Sequence, residues 1–192
     1  ILRSTNLSDY ILIQLSHLKD YLPSNDQKKI IEIGEIIKKT VPLSNSNKGI
    51  VCFASDIPNK NFEFILKVLK KIKNPELVTI INPKENIKDF KCVTTTNNEE
   101  TMEVLSQNEI YFHASEFETV GLPLYEAQDL GLKVVAPNNP YTQYFDKDST
   151  FLYKCNDAID AVQTIELASS TKTKNIRALD YSENWGKVLS KI

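Results

Sequence analysis

Hydrophobic and polar positions follow two alternating patterns from Lys48 onward. Short continuous apolar runs predict strands buried on both faces, because helices cover each side of a parallel sheet. Between these runs, apolar residues recur every three or four positions, the period of a helix with one buried face. The predicted strands are 49–54, 77–81, 90–93, 110–114, 133–136 and 151–153, and the predicted helices are 62–72, 99–106, 123–130, 157–168 and 183–190.

Strand–helix alternation at this spacing predicts a doubly wound α/β domain with a mostly parallel, Rossmann-like sheet. Ligands of such sheets bind beyond the carboxyl ends of the strands, near the point where the strand order reverses. The loops expected to hold a site are therefore 55–61, 94–98, 115–122 and 137–142.

Residues 1–47 carry a different pattern, and two interpretations of them stay open. Residues 10–14 predict a strand and 15–22 a short helix, whereas 30–41 have a helical period although 30–33 is also typical of a strand. Residues 44–47 are a polar linker. The stretch is either the remnant of an N-terminal domain with its interdomain linker or a helical extension of the domain formed by 48–192. Because the chain starts at Ile1, we expect a piece of a longer protein.

Composition and charge argue against several classes of protein. The 23 Lys plus Arg and 25 Asp plus Glu give a net charge of −2, so no basic excess favours a nucleic-acid partner. Cys52, Cys92 and Cys155 are far apart without a CxxC pair, and we expect buried thiols in a reducing compartment. The apolar runs are too short to span a bilayer. We expect a cytoplasmic protein, or one attached peripherally to the inner face of the membrane.

The segment 115–136 carries the candidate chemistry. A buried strand leads into a loop with an acid at Glu118, and Gly121 lets the backbone approach a ligand closely. Pro123 starts a helix whose free N–H groups point back to the same place, which predicts an anion site without a glycine-rich loop. Glu126 lies one turn into that helix. A phosphate held by amides and flanked by two hydroxyl-binding carboxylates suits a nucleotide sugar.

The same segment resembles the E-x7-E signature of family four (group 1) retaining glycosyltransferases, which have a GT-B fold. The matching residues are Ser115, Glu118, Gly121, Leu122, Pro123, Glu126, Ala127, Gly131, Val134, Val135 and Ala136. A looser resemblance extends from Gly49 to the C-terminal helix and includes Lys60 and Asn61. It implies the C-terminal, donor-binding domain of such an enzyme, with an acceptor-binding domain that is missing apart from a possible remnant in 1–47.

The resemblance also implies roles for individual residues. Glu118 would bind hydroxyls of the transferred sugar and Lys60 would neutralise the diphosphate, which makes these two the implied catalytic residues; Glu126 would bind the ribose hydroxyls. The remaining donor-binding positions would be Ser55, Thr95, Thr96, Thr119, Val120, Gly121 and Leu122. Members of the family need no metal or other cofactor. The implied partners are a UDP- or GDP-linked sugar and a saccharide or lipid-linked acceptor in polysaccharide synthesis.

Departures from the family pattern keep other functions open. Ala54-Ser55 stands where the family has Gly-Arg, and a serine hydroxyl cannot replace the charge of a guanidinium group that binds phosphate. Thr94 and Thr119 stand where glycine is usual. The alternatives to a transferase domain are a non-catalytic nucleotide-sugar-binding subunit of a split transferase and a sugar-nucleotide epimerase on the same fold.

Four other residues are expected to have structural roles. His113 lies in a predicted buried strand and is expected to be a hydrogen-bonded core residue rather than a base. His17 is expected at the surface of an amphipathic helix, and Lys133 is expected to be a solvated residue at the start of a strand. Trp185 is expected to anchor the last helix against the sheet.

Overall fold

The computed structural model describes residues 11–13, 16–32, 49–55 and 60–172 of the 192-residue chain. The described strands are β1 (Ile11–Ile13), β2 (Ile30–Glu32), β3 (Ile50–Phe53), β4 (Val78–Ile81), β5 (Lys91–Val93), β6 (Ile110–Phe112), β7 (Lys133–Pro137) and β8 (Thr150–Tyr153). The described α-helices are α1 (Phe62–Leu69), α2 (Asn98–Ser106), α3 (Leu122–Asp129) and α4 (Ala158–Ser170). Short 3-10 helices span Ser16–Tyr21, Gln27–Lys29, Pro75–Leu77 and Pro140–Tyr144.

The main sheet of the described residues is parallel, with the spatial order β5-β4-β3-β6-β7-β8. The chain runs outward from β3 to β5, crosses back to β6 and runs outward again to β8, which is the doubly wound topology. Ile50 of β3 pairs with Val78 on one side and Ile110 on the other. The switch point therefore lies between β3 and β6, where the loops that follow these two strands meet.

Apolar side chains cover both faces of the sheet, as the continuous hydrophobic runs predict. In β3, Cys52 belongs to the core on the α1 and α4 side, whereas its neighbour Val51 belongs to the core on the α2 and α3 side. Ile65 of α1 and Leu124 of α3 are fully buried in these two cores. Burial of successive residues on opposite faces is the reason why these strands lack an alternating polar pattern.

The described part of the N-terminal stretch contacts the main domain. β1 pairs in parallel with β2, so the strand interpretation of residues 30–32 is confirmed and their helical interpretation is wrong. His17 is only 8% exposed, so its predicted place at the surface is wrong. Its backbone N–H donates to the hydroxyl of Tyr144 at 3.0 Å, which a helical periodicity argument cannot reveal. The domain boundary near residue 47 stays a prediction, because residues 33–48 lie outside the described ranges.

Two further structural expectations are wrong. Lys133 is buried at 6% exposure, because its ammonium group donates to Glu109 Oε1 at 2.7 Å and to the Ala168 carbonyl at 2.8 Å. Of the three cysteine thiols only Cys52 is fully buried, while Cys92 is partly buried and Cys155 is exposed.

The helix predicted at 183–190, with its anchor Trp185, lies outside the described residues. Within the described ranges, no helix combines the length and the apolar character needed to cross a bilayer.

Candidate functional site

A cavity of about 160 Å³ lies beyond the carboxyl ends of β3, β4 and β6, at the switch point of the sheet. Its position is the one that a doubly wound sheet offers to a ligand. Lys60 is the one cationic side chain in its lining within the described part of the chain. The lining residues are Phe53, Ser55, Lys60, Ile81, Asn82, Tyr111, Phe112, His113, Ala114, Ser115 and Pro123.

The two residues predicted to be catalytic meet beside this cavity. Lys60, immediately before α1, donates a hydrogen bond from its ammonium group to Glu118 Oε1. Glu118 lies in the loop between β6 and α3, and its side chain is only 11% exposed. The two residues are 58 positions apart in the chain, so the folding of the sheet brings them together. An ion pair this poorly solvated is costly to break by removing one partner.

His113, at the end of β6, is a third member of this cluster. Its Nε2 lies 3.5 Å from Glu118 Oε1, and its Nδ1 lies 2.9 Å from the Tyr111 hydroxyl oxygen. Burial, and secondly the charge of Lys60, lower the pKa of the imidazole to about 3, so the ring is neutral at pH 7. The predicted hydrogen-bonded core histidine is confirmed. Its contact with Glu118 was not predicted, and the only signal for it in the sequence is its place just before the Glu118 loop.

The anion site predicted from the sequence falls at the start of α3. Gly121 adopts the left-handed conformation with φ 77°, and a Cβ atom there would lie 2.6 Å from Leu124 Cδ1 and 3.2 Å from Phe145 Cζ. Glycine is therefore required at this turn. The backbone amides of Val120, Gly121 and Leu122 donate no hydrogen bond to any described residue. Free amides and the helix dipole together favour an anion at this point.

Glu126 lies one turn further along α3, and its carboxylate is half-buried. Burial, and secondly the charge of Asp129, raise its pKa above the ordinary value for glutamate. No hydrogen bond to its carboxylate is found among the described residues. Burial raises the pKa of Tyr111 strongly, and the charges of Glu118 and Glu126 add to this effect.

The other predicted donor-binding residues divide into two groups. Ser55 lines the cavity, and Thr119 is exposed in the loop that carries Glu118. Thr95 and Thr96 follow β5, and their amides are already bonded: Thr95 N–H donates to Asn82 Oδ1 and Thr96 N–H donates to Glu100 Oε2, each at 2.7 Å.

Thr95 is thus linked to the cavity through Asn82, whereas Thr96 bonds to Glu100, and neither threonine lines the cavity. The donor-binding role implied for these two threonines stays a prediction.

Metal ligands are not grouped in the described ranges: no cluster of three or more His, Cys, Asp or Glu side chains is found there. The expectation that the chain works without a metal or other cofactor stays a prediction.

The fold is that of a GT-B glycosyltransferase domain, which confirms the expected fold class. The sequence matches the family model of glycosyl transferases group 1 over residues 35–186, so the chain belongs to this family. The resemblance inferred from the segment around Glu118 and Glu126 is thereby confirmed. No curated protein matches the sequence significantly.

Solved glycosyltransferase structures share this fold at low sequence identity. A mutant of TarM from S. aureus, in complex with fondaparinux, α-GlcNAc-glycerol and UDP, has a TM-score of 0.70 at 15% identity over 100% of this chain and 42% of that chain. The pneumococcal O-GlcNAc transferase GtfA, in complex with UDP and GlcNAc, has a TM-score of 0.64 at 17% identity over 98% and 44%. Anabaena Alr3699/HepE, in complex with UDP and glucose, has a TM-score of 0.77 at 12% identity over 99% and 66%. This chain spans less than two thirds of each.

Proposed function

We propose that this chain is the donor-binding domain of a retaining glycosyltransferase that moves a sugar from a nucleotide diphosphate donor to a saccharide or lipid-linked acceptor. The observation that carries the proposal is the juxtaposition of the Lys60–Glu118 pair with the free amides at the start of α3. UDP is the first candidate nucleotide, because structural neighbours were solved with UDP. A role in the synthesis of a polysaccharide or glycolipid is part of the same proposal.

Three parts of the donor, the diphosphate, the transferred sugar and the ribose, contact different groups of the site. The amides of Val120, Gly121 and Leu122 and the ammonium group of Lys60 face the diphosphate, whose charge grows on the leaving group as the glycosidic bond breaks. Preorganised dipoles and one cation in a poorly solvated cavity stabilise such charge effectively. Glu118 binds hydroxyls of the transferred sugar, and Glu126 binds the ribose hydroxyls.

Calorimetry with UDP, GDP, UDP-glucose and UDP-N-acetylglucosamine tests the proposal. Glu126→Gln should weaken UDP binding about tenfold, because hydrogen bonds from the ribose to a charged group are lost. Glu118→Gln should leave UDP binding within about twofold or improve it, since Lys60 is released for the diphosphate, but should abolish the extra affinity contributed by the sugar.

The matched control for both variants is Glu103→Gln, the same substitution at an exposed position of α2. It should bind every nucleotide as the unmodified chain does. If the unmodified chain binds none of the four nucleotides at millimolar concentration, the proposed function is rejected.

A non-catalytic subunit of a split transferase is the second candidate function. It is favoured by Ser55, an uncharged residue in the lining of the cavity, and by the structural neighbour solved as the GtfA/B complex. This candidate predicts nucleotide-sugar binding without transfer until a partner chain is added. Transfer to an acceptor by this chain alone would exclude it.

A further inference from the structure

Lys60 has two competing partners under the proposed function. In the structure its ammonium group is bound to Glu118 Oε1, yet the proposal requires it to neutralise the donor diphosphate. When Lys60 turns to the phosphates, the Glu118 carboxylate keeps its poorly solvated position and loses its cation. A buried carboxylate without a partner is unfavourable, so another donor must hold it if the loop is to stay in place.

His113 is placed to be that donor. Its Nε2 lies 3.5 Å from Glu118 Oε1, the same oxygen that Lys60 contacts. Nε2 is buried and has no hydrogen-bond partner among the described residues. A buried polar atom without a hydrogen-bond partner is unusual in a folded protein. Here Nε2 faces the Glu118 carboxylate, whose first partner, Lys60, is expected to leave.

The hydrogen bond to Tyr111 determines which ring nitrogen carries the proton. If the tyrosine hydroxyl donates to Nδ1, the proton of the neutral ring sits on Nε2 and faces Glu118. The opposite arrangement would set the Nε2 lone pair against a carboxylate oxygen, which is repulsive. The low pKa of His113, about 3, keeps the ring neutral, so it adds a donor to the site without adding charge.

Three other polar side chains in this neighbourhood are already engaged elsewhere. The Tyr141 hydroxyl donates to the Ser115 carbonyl at 2.6 Å, and the Tyr153 hydroxyl donates to the His113 carbonyl at 3.0 Å. His17 Nε2 contacts the backbone carbonyl of Glu118 at 3.2 Å and not its carboxylate. Unlike these three side chains, His113 presents to the Glu118 carboxylate a ring nitrogen that has no hydrogen-bond partner among the described residues.

We propose that His113 is a positioning residue that takes over the Glu118 carboxylate when Lys60 moves to the diphosphate of the donor. Glu118 touches the sugar, and His113 acts through Glu118. The inference rests on the proposed function, because a bound diphosphate is what draws Lys60 away.

Nitrogen-15 NMR of the histidine rings tests the proton placement directly. The chain has 2 histidines, and His17→Gln assigns their signals. His113 should be the neutral Nε2–H tautomer at pH 7, and its Nε2 proton should move downfield when UDP-glucose or UDP-N-acetylglucosamine binds. Tyr111→Phe removes the hydroxyl and should populate both tautomers. An Nδ1–H tautomer of His113 in the unmodified chain would overturn the inference.

Binding measurements on His113 variants separate positioning from a general structural role. His113→Phe should lower the affinity for the UDP-sugar about tenfold and leave UDP binding within about twofold, because only the sugar contacts Glu118. His113→Asn retains an N–H donor and should restore part of the loss. Lys73→Met, at an exposed ion pair, is the control and should change neither affinity.

The possible results distinguish this inference from the proposed function. An equal loss of UDP and UDP-sugar binding in His113→Phe would show a structural role and reject the inference. If His113→Phe does not fold, UDP and UDP-sugar affinities are compared in Tyr111→Phe instead. This variant keeps the His113 ring and removes only the Tyr111 hydroxyl that bonds to it. If the unmodified chain binds UDP but His113 is the Nδ1–H tautomer, the positioning role of His113 is rejected and the proposed function stands. If the unmodified chain does not bind UDP, both are rejected.

Discussion

Glu126, the proposed ribose-binding residue, has an environment that works against the stability of the folded chain. Burial, and secondly Asp129, raise the pKa of its carboxyl group in the folded state. The folded chain therefore holds this proton at pH values where the unfolded chain has released it. The contribution of Glu126 to stability is most favourable below its unfolded pKa, and it falls as the pH rises through the raised folded pKa.

Glu126→Gln should consequently stabilise the fold at neutral pH while it weakens nucleotide binding. We expect the melting temperature to rise on the order of 1 °C at pH 7 and not at pH 3, where the carboxyl group is protonated in both states. Thermal unfolding across this pH range measures the effect. A melting temperature that changes equally at both pH values would contradict the explanation by ionisation.

At the residue scale, the success of sequence-based prediction depended on whether a role has a local cause. Gly121 was predicted to let the backbone approach a ligand, which stays a prediction, and the structure shows a local reason for glycine there, a left-handed turn closed by Leu124 and Phe145. The contact of His113 with Glu118 was missed. Its chemistry comes from Lys60 and Tyr111, and nothing in the neighbouring sequence indicates the approach of Lys60.

At the element scale, the 3-10 helix Ser16–Tyr21 supports the loop that carries Glu118. His17 Nε2 lies 3.2 Å from the Glu118 carbonyl oxygen, which can only accept, so Nε2 carries the proton. The rings of Tyr21 and Phe117 meet edge to face with centroids 5.2 Å apart. The described N-terminal stretch is thus part of the environment of the candidate site.

His17→Ala should loosen this loop without unfolding the sheet. We expect faster hydrogen exchange of the amides of residues 116–121 and an affinity for UDP-sugars lower by about fivefold, the size of one hydrogen bond of about 1 kcal/mol. Lys19→Ala is the control from the same 3-10 helix, because the ion pair of Lys19 with Glu32 is solvent-exposed. Unchanged exchange in the loop would show that His17 does not support it.

Elements were predicted well where a hydrophobic period extends over several residues and less well in short irregular segments. The helix predicted at 123–130 is observed as Leu122–Asp129, whereas the 3-10 helix Pro140–Tyr144 was not predicted. This missed helix has a recognisable start, with Pro140 in its first turn and a capping box formed by Asn139 and Thr142. It provides Tyr141 and Tyr144, which contact the Glu118 loop and His17.

At the scale of the whole molecule, Lys133 joins three parts of the domain far from the candidate site. It starts β7 at the amino edge of the sheet, and it binds Glu109 before β6 and the Ala168 carbonyl near the end of α4. The contact with the Ala168 carbonyl is buried and that with Glu109 is partly buried, so mutation of Lys133 would leave both oxygens without this partner in a poorly solvated place.

Lys133→Met should therefore lower the free energy of unfolding by about 2 kcal/mol, whereas Lys73→Met, at an exposed pair with Glu166, should change it by less than about 0.5 kcal/mol. Urea denaturation measures both values. UDP affinity should be the same in both variants, because the cavity lies at the opposite edge of the sheet. A loss of UDP affinity in folded Lys133→Met would contradict this separation.

The sequence by itself determined the elements that depend on local periodicity, the alternation of strands and helices that predicts a doubly wound domain, and the spacing of Glu118, Gly121 and Glu126 around one helix start. These features arise within a few turns of chain, where the rules of burial and helix capping act. Only the tertiary structure decided that Lys60 would bind Glu118 across 58 residues, that His17 would reach the same loop across 101 residues, and that Lys133 would be buried. The physical reason is that solvation and charge at a position depend on residues that are near in space and distant along the chain.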